Sequence, residues 1–192
     1  MDDGIVKYKL REEPDKKGVY VAAASFITSY ARRVTILSAQ MLTDNYLQGK
    51  SKAEFCYADT DSLHISLNGE TPEEFLKNSG LDIDDYKLGA WKYESRFCKA
   101  KFLRQKCYIE KQIVSKEEYE KGLNEEYYYL YSKDDKGYYL LNITVAGMPK
   151  ECYPYVNFNN FKVGASYKGK RLPKNVKGGV VLEDIDFTIK EV

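Results

Sequence analysis

The chain has little of several things. Its 192 residues hold one histidine, one tryptophan, five prolines and four cysteines, and they carry a formal net charge of only +1. The cysteines, Cys56, Cys98, Cys107 and Cys152, include no CxxC pair, which removes the thiolate-metal and thioredoxin readings. Cys56 and Cys107 lie in strand-like runs and read as free, buried thiols of a reducing compartment. The lone His64 sits on an apolar strand and reads as a packed or hydrogen-bonded side chain. No apolar run approaches the length of a membrane span. The acidic start, Met1-Asp2-Asp3-Gly4, is unlike a secretory signal, so the chain is expected in the cytoplasm, with no membrane partner. A net charge near zero gives no global argument for a polyanionic partner. There is no internal repeat and no low-complexity tract.

What is present is local. Hydrophobic residues make up 43% of the chain, enough for a packed core. Between Lys87 and Lys111 the bases Lys87, Lys92, Arg96, Lys99, Lys101, Arg104, Lys106 and Lys111 are opposed only by Glu94 and Glu110. Between Lys162 and Lys177 stand Lys162, Lys168, Lys170, Arg171, Lys174 and Lys177 with no acid among them. Such excesses fit contacts to phosphates, and they fit a solvated surface as well.

The most telling stretch runs from Phe55 to Ile65. Phe55, Tyr57, Leu63 and Ile65 favour strand, while Asp59, Thr60, Asp61 and Ser62 favour a tight turn. The turn holds two carboxylates at a fixed tip. Their repulsion is relieved if a cation or a basic group lies between them. Hard oxygen donors on a hairpin suit Mg²⁺ or Mn²⁺, bound through one or two carboxylates plus substrate phosphates. Taken alone, an Asp-x-Asp turn is equally a surface turn that uses Asp for its turn chemistry.

The remainder predicts alternating helix and strand. Residues 1–18 read as a short strand and a charged loop. Val21 to about Leu47, without Pro or Gly, reads as a long helix with apolar residues on more than one face, largely buried against a sheet. Thr71-Pro72-Glu73-Glu74 marks the start of a short helix. Two strands are expected between Gly89 and Val114. A hairpin is expected from Glu126–Ser132 and Tyr138–Val145, in which Tyr127, Tyr128, Tyr129 and Tyr131 pack across strands. After a break at Ala146-Gly147-Met148-Pro149 come a helix-like Asn157–Phe161, a loop containing Pro173, and strands at Val180–Leu182 and Phe187–Ile189.

Tyr57-Ala58-Asp59-Thr60-Asp61-Ser62 resembles motif C in the palm of family B DNA polymerases. Lys101 to Ile109, with Lys106 and Tyr108 at the key positions, resembles the KxY motif that follows it. Phe158–Gly164, Gly178–Leu182 and Phe187–Lys190 resemble the thumb of the protein-primed, terminal-protein-dependent members found in phages and linear plasmids. The likeness runs from about Gly4 to Lys190. It implies an α+β fold in which an antiparallel palm sheet packs on a long helix, the acidic hairpin is central to that sheet, and a small β-rich thumb follows. The divisions it implies are 1–18, the trailing part of a strand-displacement insertion; 19–147, the C-terminal palm portion; and 148–192, the thumb.

The resemblance also implies roles. Asp61 is the direct metal ligand, and Asp59 tunes the site or touches the metal near the primer end. Tyr57, Thr60 and Ser62 hold the turn. Lys101, Arg104, Lys106 and Tyr108 contact the primer-template, and Lys162, Lys168, Lys170 and Arg171 grip the duplex backbone. No DxxSLYP-like or KxxxNxxYG motif occurs, so a further metal-binding Asp, the fingers and the exonuclease are not supplied by these 192 residues. The expectation is a palm–thumb part of a DNA-directed DNA polymerase of a bacterial host cell or mobile element, inactive alone and weak for Mg²⁺ or Mn²⁺. It would complete a dNTP-using enzyme with a chain carrying the missing motifs, and terminal protein is a further partner. A non-catalytic DNA-binding remnant and a module binding other replication proteins stand as alternatives.

Overall fold

The computed structural model describes residues 20–191, so the strand and loop expected over 1–18 lie outside the described residues. Helix α1 (Val21–Leu47) comes first. Its freedom from Pro and Gly explains its length. The expectation that it is largely buried is not met: only Thr35 and Leu42 are buried. Phe26 is 78% exposed and Ile27 70%. The physical reason is that only the C-terminal half of α1 meets other described elements. Those are strands β1 (Glu54–Asp59) and β2 (Ser62–Ser66), an antiparallel hairpin. Leu42, Ala53 and Phe75 form a small core there, joined by Phe55, Leu63, Ile65 and Leu67. Phe75 comes from helix α2 (Pro72–Asn78), which starts as the sequence predicts. Thr71 caps the Glu74 N–H, the Glu74 side chain caps Thr71, and Pro72 opens the helix.

The β1–β2 hairpin does not lie at the centre of a larger sheet, as expected, but forms a two-stranded sheet of its own. Its neighbour is a four-stranded antiparallel sheet of β3 (Arg96–Arg104), β4 (Cys107–Val114), β5 (Tyr131–Asp134) and β6 (Gly137–Val145), in the order β3-β4-β6-β5. The two sheets meet through side chains rather than a backbone ladder. Tyr57 stacks on Phe102 with ring centroids 4.9 Å apart, and His64 meets Phe102 edge-on at 5.3 Å.

Helix α3 (Lys116–Gly122) was not anticipated, although Ser115 and Glu118 form a capping box of the same kind as at Thr71. The tyrosines expected to pack across strands do so only at Tyr131. Tyr128–Leu130 is a 3₁₀ turn, in which Tyr129 meets Tyr127 and Tyr128 edge to face. Asn157–Phe161 is a turn rather than a helix, because the Asn157 side-chain oxygen takes the N–H groups of Asn159 and Asn160. Cys56, expected buried, is exposed on its strand. Cys107 is buried, and none of the four cysteines is in a disulfide.

The segment read as a loop with Pro173 is strand β7 (Ser166–Val176), and the two strands expected after it merge into β8 (Gly179–Thr188). A two-stranded ribbon has only edges, so the missing N–H of Pro173 is tolerated. The main core is continuous across residue 147. Cys107 and Ile109 of β4 and Ile143 and Val145 of β6 pack with Cys152, Val156, Phe161, Tyr167, Phe187 and Ile189. Phe161 is fully buried in it. Phe161→Ala is expected to cost about 3–5 kcal/mol. In urea unfolding followed by circular dichroism this appears as a lower midpoint with an unchanged slope.

Candidate active site

The acidic turn is built on a strained backbone. The Asp61 N–H donates to the Asp59 carbonyl at 2.7 Å, and Thr60 between them has φ +55°. A β-branched residue in the left-handed region is unfavourable by itself. Three hydroxyls hold it. Thr35 of α1, itself buried, donates to the Thr60 carbonyl at 3.0 Å. Thr60 Oγ1 donates to Asp59 Oδ1 at 3.2 Å, and Ser62 Oγ donates to the Asp59 carbonyl at 3.1 Å. The two carboxylates are thereby presented differently: the Asp59 side chain is only 12% exposed, whereas Asp61 is exposed.

A second tight turn, Gln105-Lys106 between β3 and β4, faces the first. Lys106 also has a positive φ, +53°, and its N–H donates to the Tyr57 hydroxyl at 2.8 Å. Its ammonium lies 3.9 Å from Asp59 Oδ1, and the Lys106 side chain remains 55% exposed. A basic group therefore does stand beside the first of the two carboxylates, Asp59. Burial raises the pKa values of the Tyr57 and Tyr108 phenols, so both stay protonated at neutral pH.

Behind the turns lies a polar group that the sequence reading did not single out as a site. Glu110 of β4 is 2% exposed and takes His64 Nδ1–H at 2.6 Å, Asn142 Nδ2 at 3.1 Å and Gln112 Nε2 at 3.2 Å. His64 is thus the hydrogen-bonded strand histidine that was expected. A lone acid in the apolar run Cys107-Tyr108-Ile109-Glu110 was a visible signal, and pairing it with the only histidine was an available guess. Thr35 had no such signal.

The remaining site candidates divide. Asp59, Asp61, Lys106, Tyr57, Thr60 and Ser62 are brought together. Tyr108, expected against sugar or the minor groove, is 8% exposed and packs against Tyr57, His64 and Phe102. Lys101, expected on phosphate, instead donates to the carbonyls of Phe158 and Phe161 at 2.8 and 3.1 Å and ties the sheet to the C-terminal segment. Arg104 neighbours the Lys106 turn, and its Nε is buried without a hydrogen-bond acceptor. Lys162 and Lys168 are exposed; Arg171 pairs with Asp184 at 3.2 Å on the ribbon surface. Lys170 lies on β7.

The two carboxylates fit a hard divalent cation that keeps several waters, since among the described residues no three His, Cys, Asp or Glu side chains gather into a cage. No helix among the described residues is long and apolar enough to cross a membrane.

The geometry has relatives. The chain is 35% identical over 190 residues to the DNA polymerase of Streptococcus phage Cp-1, covering 99% of this chain and 27% of that protein. It is 39% identical over 189 residues to the DNA polymerases of Bacillus phages PZA and phi29, covering 98% of this chain and 29% of theirs. The chain thus spans less than a third of the length of these relatives. Its fold matches phi29 DNA polymerase complexed with primer-template DNA at a TM-score of 0.65 and 35% identity, over 99% of this chain and 30% of that one. It matches the ternary complex with primer-template DNA and incoming nucleotide at 0.60 and 35% identity, over 86% of this chain and 25% of that one. No family model matches.

Burial raises the pKa of the Glu110 carboxyl, but hydrogen bonds from His64, Asn142 and Gln112 outweigh it, and the net shift is below the ordinary 4.5. The folded state thus binds this proton less readily than the unfolded chain. The stability it contributes is fully present above about pH 4.5 and is lost as pH falls through the lower native value. Urea midpoints measured downward from about pH 6 should show an acid-side decline that is shallower in Glu110→Gln.

Proposed function

Since the chain corresponds to a segment of the protein-primed phage DNA polymerases of the phi29 type, we propose that it supplies the metal-binding hairpin and part of the primer-template surface of such an enzyme. The observation that carries this reading is the facing of two strained turns, one bearing Asp59 and Asp61, the other Lys106, joined by the Tyr57 hydroxyl. Residues 19–147 act as the C-terminal palm portion and 148–192 as the thumb, with one core beneath both.

In this reading Asp61, the exposed carboxylate, is the direct ligand of Mg²⁺ or Mn²⁺. Asp59, largely shielded and beside Lys106, tunes the field at the primer end. Asp61 and Asp59 would hold a divalent cation, which in a complete enzyme would supply activation of the primer 3′-hydroxyl and charge neutralisation at the pyrophosphate. The chain's own residues set the geometry. Thr35, Thr60 and Ser62 fix where the carboxylates point. Lys106 and Arg104 take backbone phosphates without reading sequence. Lys162, Lys168, Lys170 and Arg171 steady the duplex beyond the sheet, and Tyr108 supports the Lys106 turn from below.

The two carboxylates alone leave the cation mostly hydrated, and the residues here do not close a two-metal site. Polymerisation accordingly requires polypeptide bearing a further carboxylate and the nucleotide-gripping residues, in the same chain or another. Terminal protein would be met through that complete enzyme. The small donor set equally favours a second reading, a duplex-binding remnant without catalysis.

Primer extension and duplex binding separate these. The 192-residue chain alone should give no template-dependent incorporation; incorporation that disappears in Asp61→Ala would refute the incompleteness argued here. By fluorescence anisotropy it should bind a primer-template duplex. Lys106→Ala should weaken that binding and reduce the slope of log K against log salt by about 1. If Mn²⁺ strengthens duplex binding in the wild type but not in Asp59→Asn/Asp61→Asn, the metal-bearing reading holds; binding indifferent to Mn²⁺ favours the remnant.

A further inference from the structure

We propose that His64 and Glu110 form a positioning pair that fixes the carboxylate hairpin over the Lys106 turn; this deepens, and rests on, the reading of those turns as metal-bearing and DNA-contacting. The need for such a device follows from topology. The β1–β2 sheet and the β3-β4-β6-β5 sheet share no ladder among the described residues, so no backbone register sets one against the other. Aromatic packing between Tyr57, Phe102 and Tyr108 holds them together, but rings accept several offset and edge-on arrangements and by themselves do not select one orientation.

Directional bonds do. The Tyr57 hydroxyl on the Lys106 N–H is one, at an exposed turn. The other is His64 to Glu110, at 2.6 Å, with side chains only 11% and 3% exposed. The Glu110 carboxylate is held in its own sheet by Gln112 from β4 and Asn142 from β6, so its oxygens cannot swing to follow a displaced imidazole. On the other ring edge, His64 Nε2 stands 3.4 Å from Ser62 Oγ, whose hydroxyl donates to the Asp59 carbonyl. Hydrogen bonds thus run from β6 through Glu110 to His64, whose Nε2 edge faces Ser62, and Ser62 in turn reaches the residue bearing the first carboxylate. A buried ionisable pair adds little net stability over a well-packed apolar pair of similar size. What an apolar pair lacks is direction, which is why the pair is assigned to orientation.

The test reads distance without any metal. In a background with the exposed Cys56 and Cys98 changed to Ser, Gln105→Cys carries a nitroxide on the Lys106 turn, and NMR reads its broadening of the Thr60, Asp61 and Ser62 amides. The key variant is His64→Phe/Glu110→Leu, which removes the polar tie and leaves no unpaired buried charge. The expected result is a folded protein in which broadening at Thr60–Ser62 is lost or dispersed, while broadening at Thr144 and Ala146, behind the same turn, is unchanged. Undiminished broadening at Thr60–Ser62 in the folded double variant overturns the proposal, because packing would then suffice. Should the double variant not fold, Glu110→Gln, which offers one acceptor oxygen to three donors, is read by the same criterion. A Mn²⁺ titration of the unlabelled wild type is a separate arm. Absence of Mn²⁺ broadening at Asp59–Asp61 beside a positive nitroxide result sinks the metal reading and leaves the positioning pair standing.

Discussion

A threonine with a positive φ does not stay there unaided, and the rest of this site depends on what keeps Thr60 in that conformation. The Thr35 hydroxyl reaches the Thr60 carbonyl from the long helix, so the only buried polar residue of α1 is spent on the turn that carries the carboxylates. This couples elements whose roles otherwise look separate. The helix is a support for a backbone strain, and the small core of Leu42, Ala53 and Phe75 is what stops that support from drifting. Lys106 repeats the arrangement, a strained turn residue held through a hydroxyl from the neighbouring sheet.

Much of this was legible from local chemistry. The turn at Asp59–Ser62, the capping box at Thr71 and the β3–β4 pair all follow from residue type and alternation, since the forces that make them act within a few positions. What the sequence hid depends on distant chain. The exposure of Phe26 and Ile27 could not be read from a helix whose apolar residues surround it, because what covers each face is a tertiary matter. Strand β7 was concealed by Pro173, which forbids a central strand and not a ribbon edge. The His64–Glu110 contact joins residues 46 positions apart across two sheets, and no periodicity reports such a pair. Lys101 shows the converse error. Its charge suggested a phosphate, but in the fold its ammonium donates to two backbone carbonyls.

Charge is correspondingly distributed in two ways. Lys106 and Arg104 sit where the turns meet, with the lysine ammonium still open to solvent. On the ribbon, Arg171 is matched by Asp184 directly across the strands and Lys174 by Glu183 on the diagonal. Exposed pairs of this sort contribute little to stability and are screened by salt. The ribbon therefore offers an adjustable charged surface, whereas the turns offer a fixed one.

The ribbon has a mechanical side as well. Tyr167 and Phe187 at its root are buried in the main core, while Val180, Val181 and Leu182 near its tip stand in water. Between root and tip, at Gly169, the strand register slips and φ reaches +112°, with the Glu151 backbone pressed so close that a Cβ there would stand only 2.9 Å away. Such an object is a cantilever: clamped in the core at its root and against the Glu151 backbone at the bulge, with its outer rungs standing in solvent. A load applied at the tip would be felt as torque at Gly169 and would leave the carboxylate hairpin undisturbed.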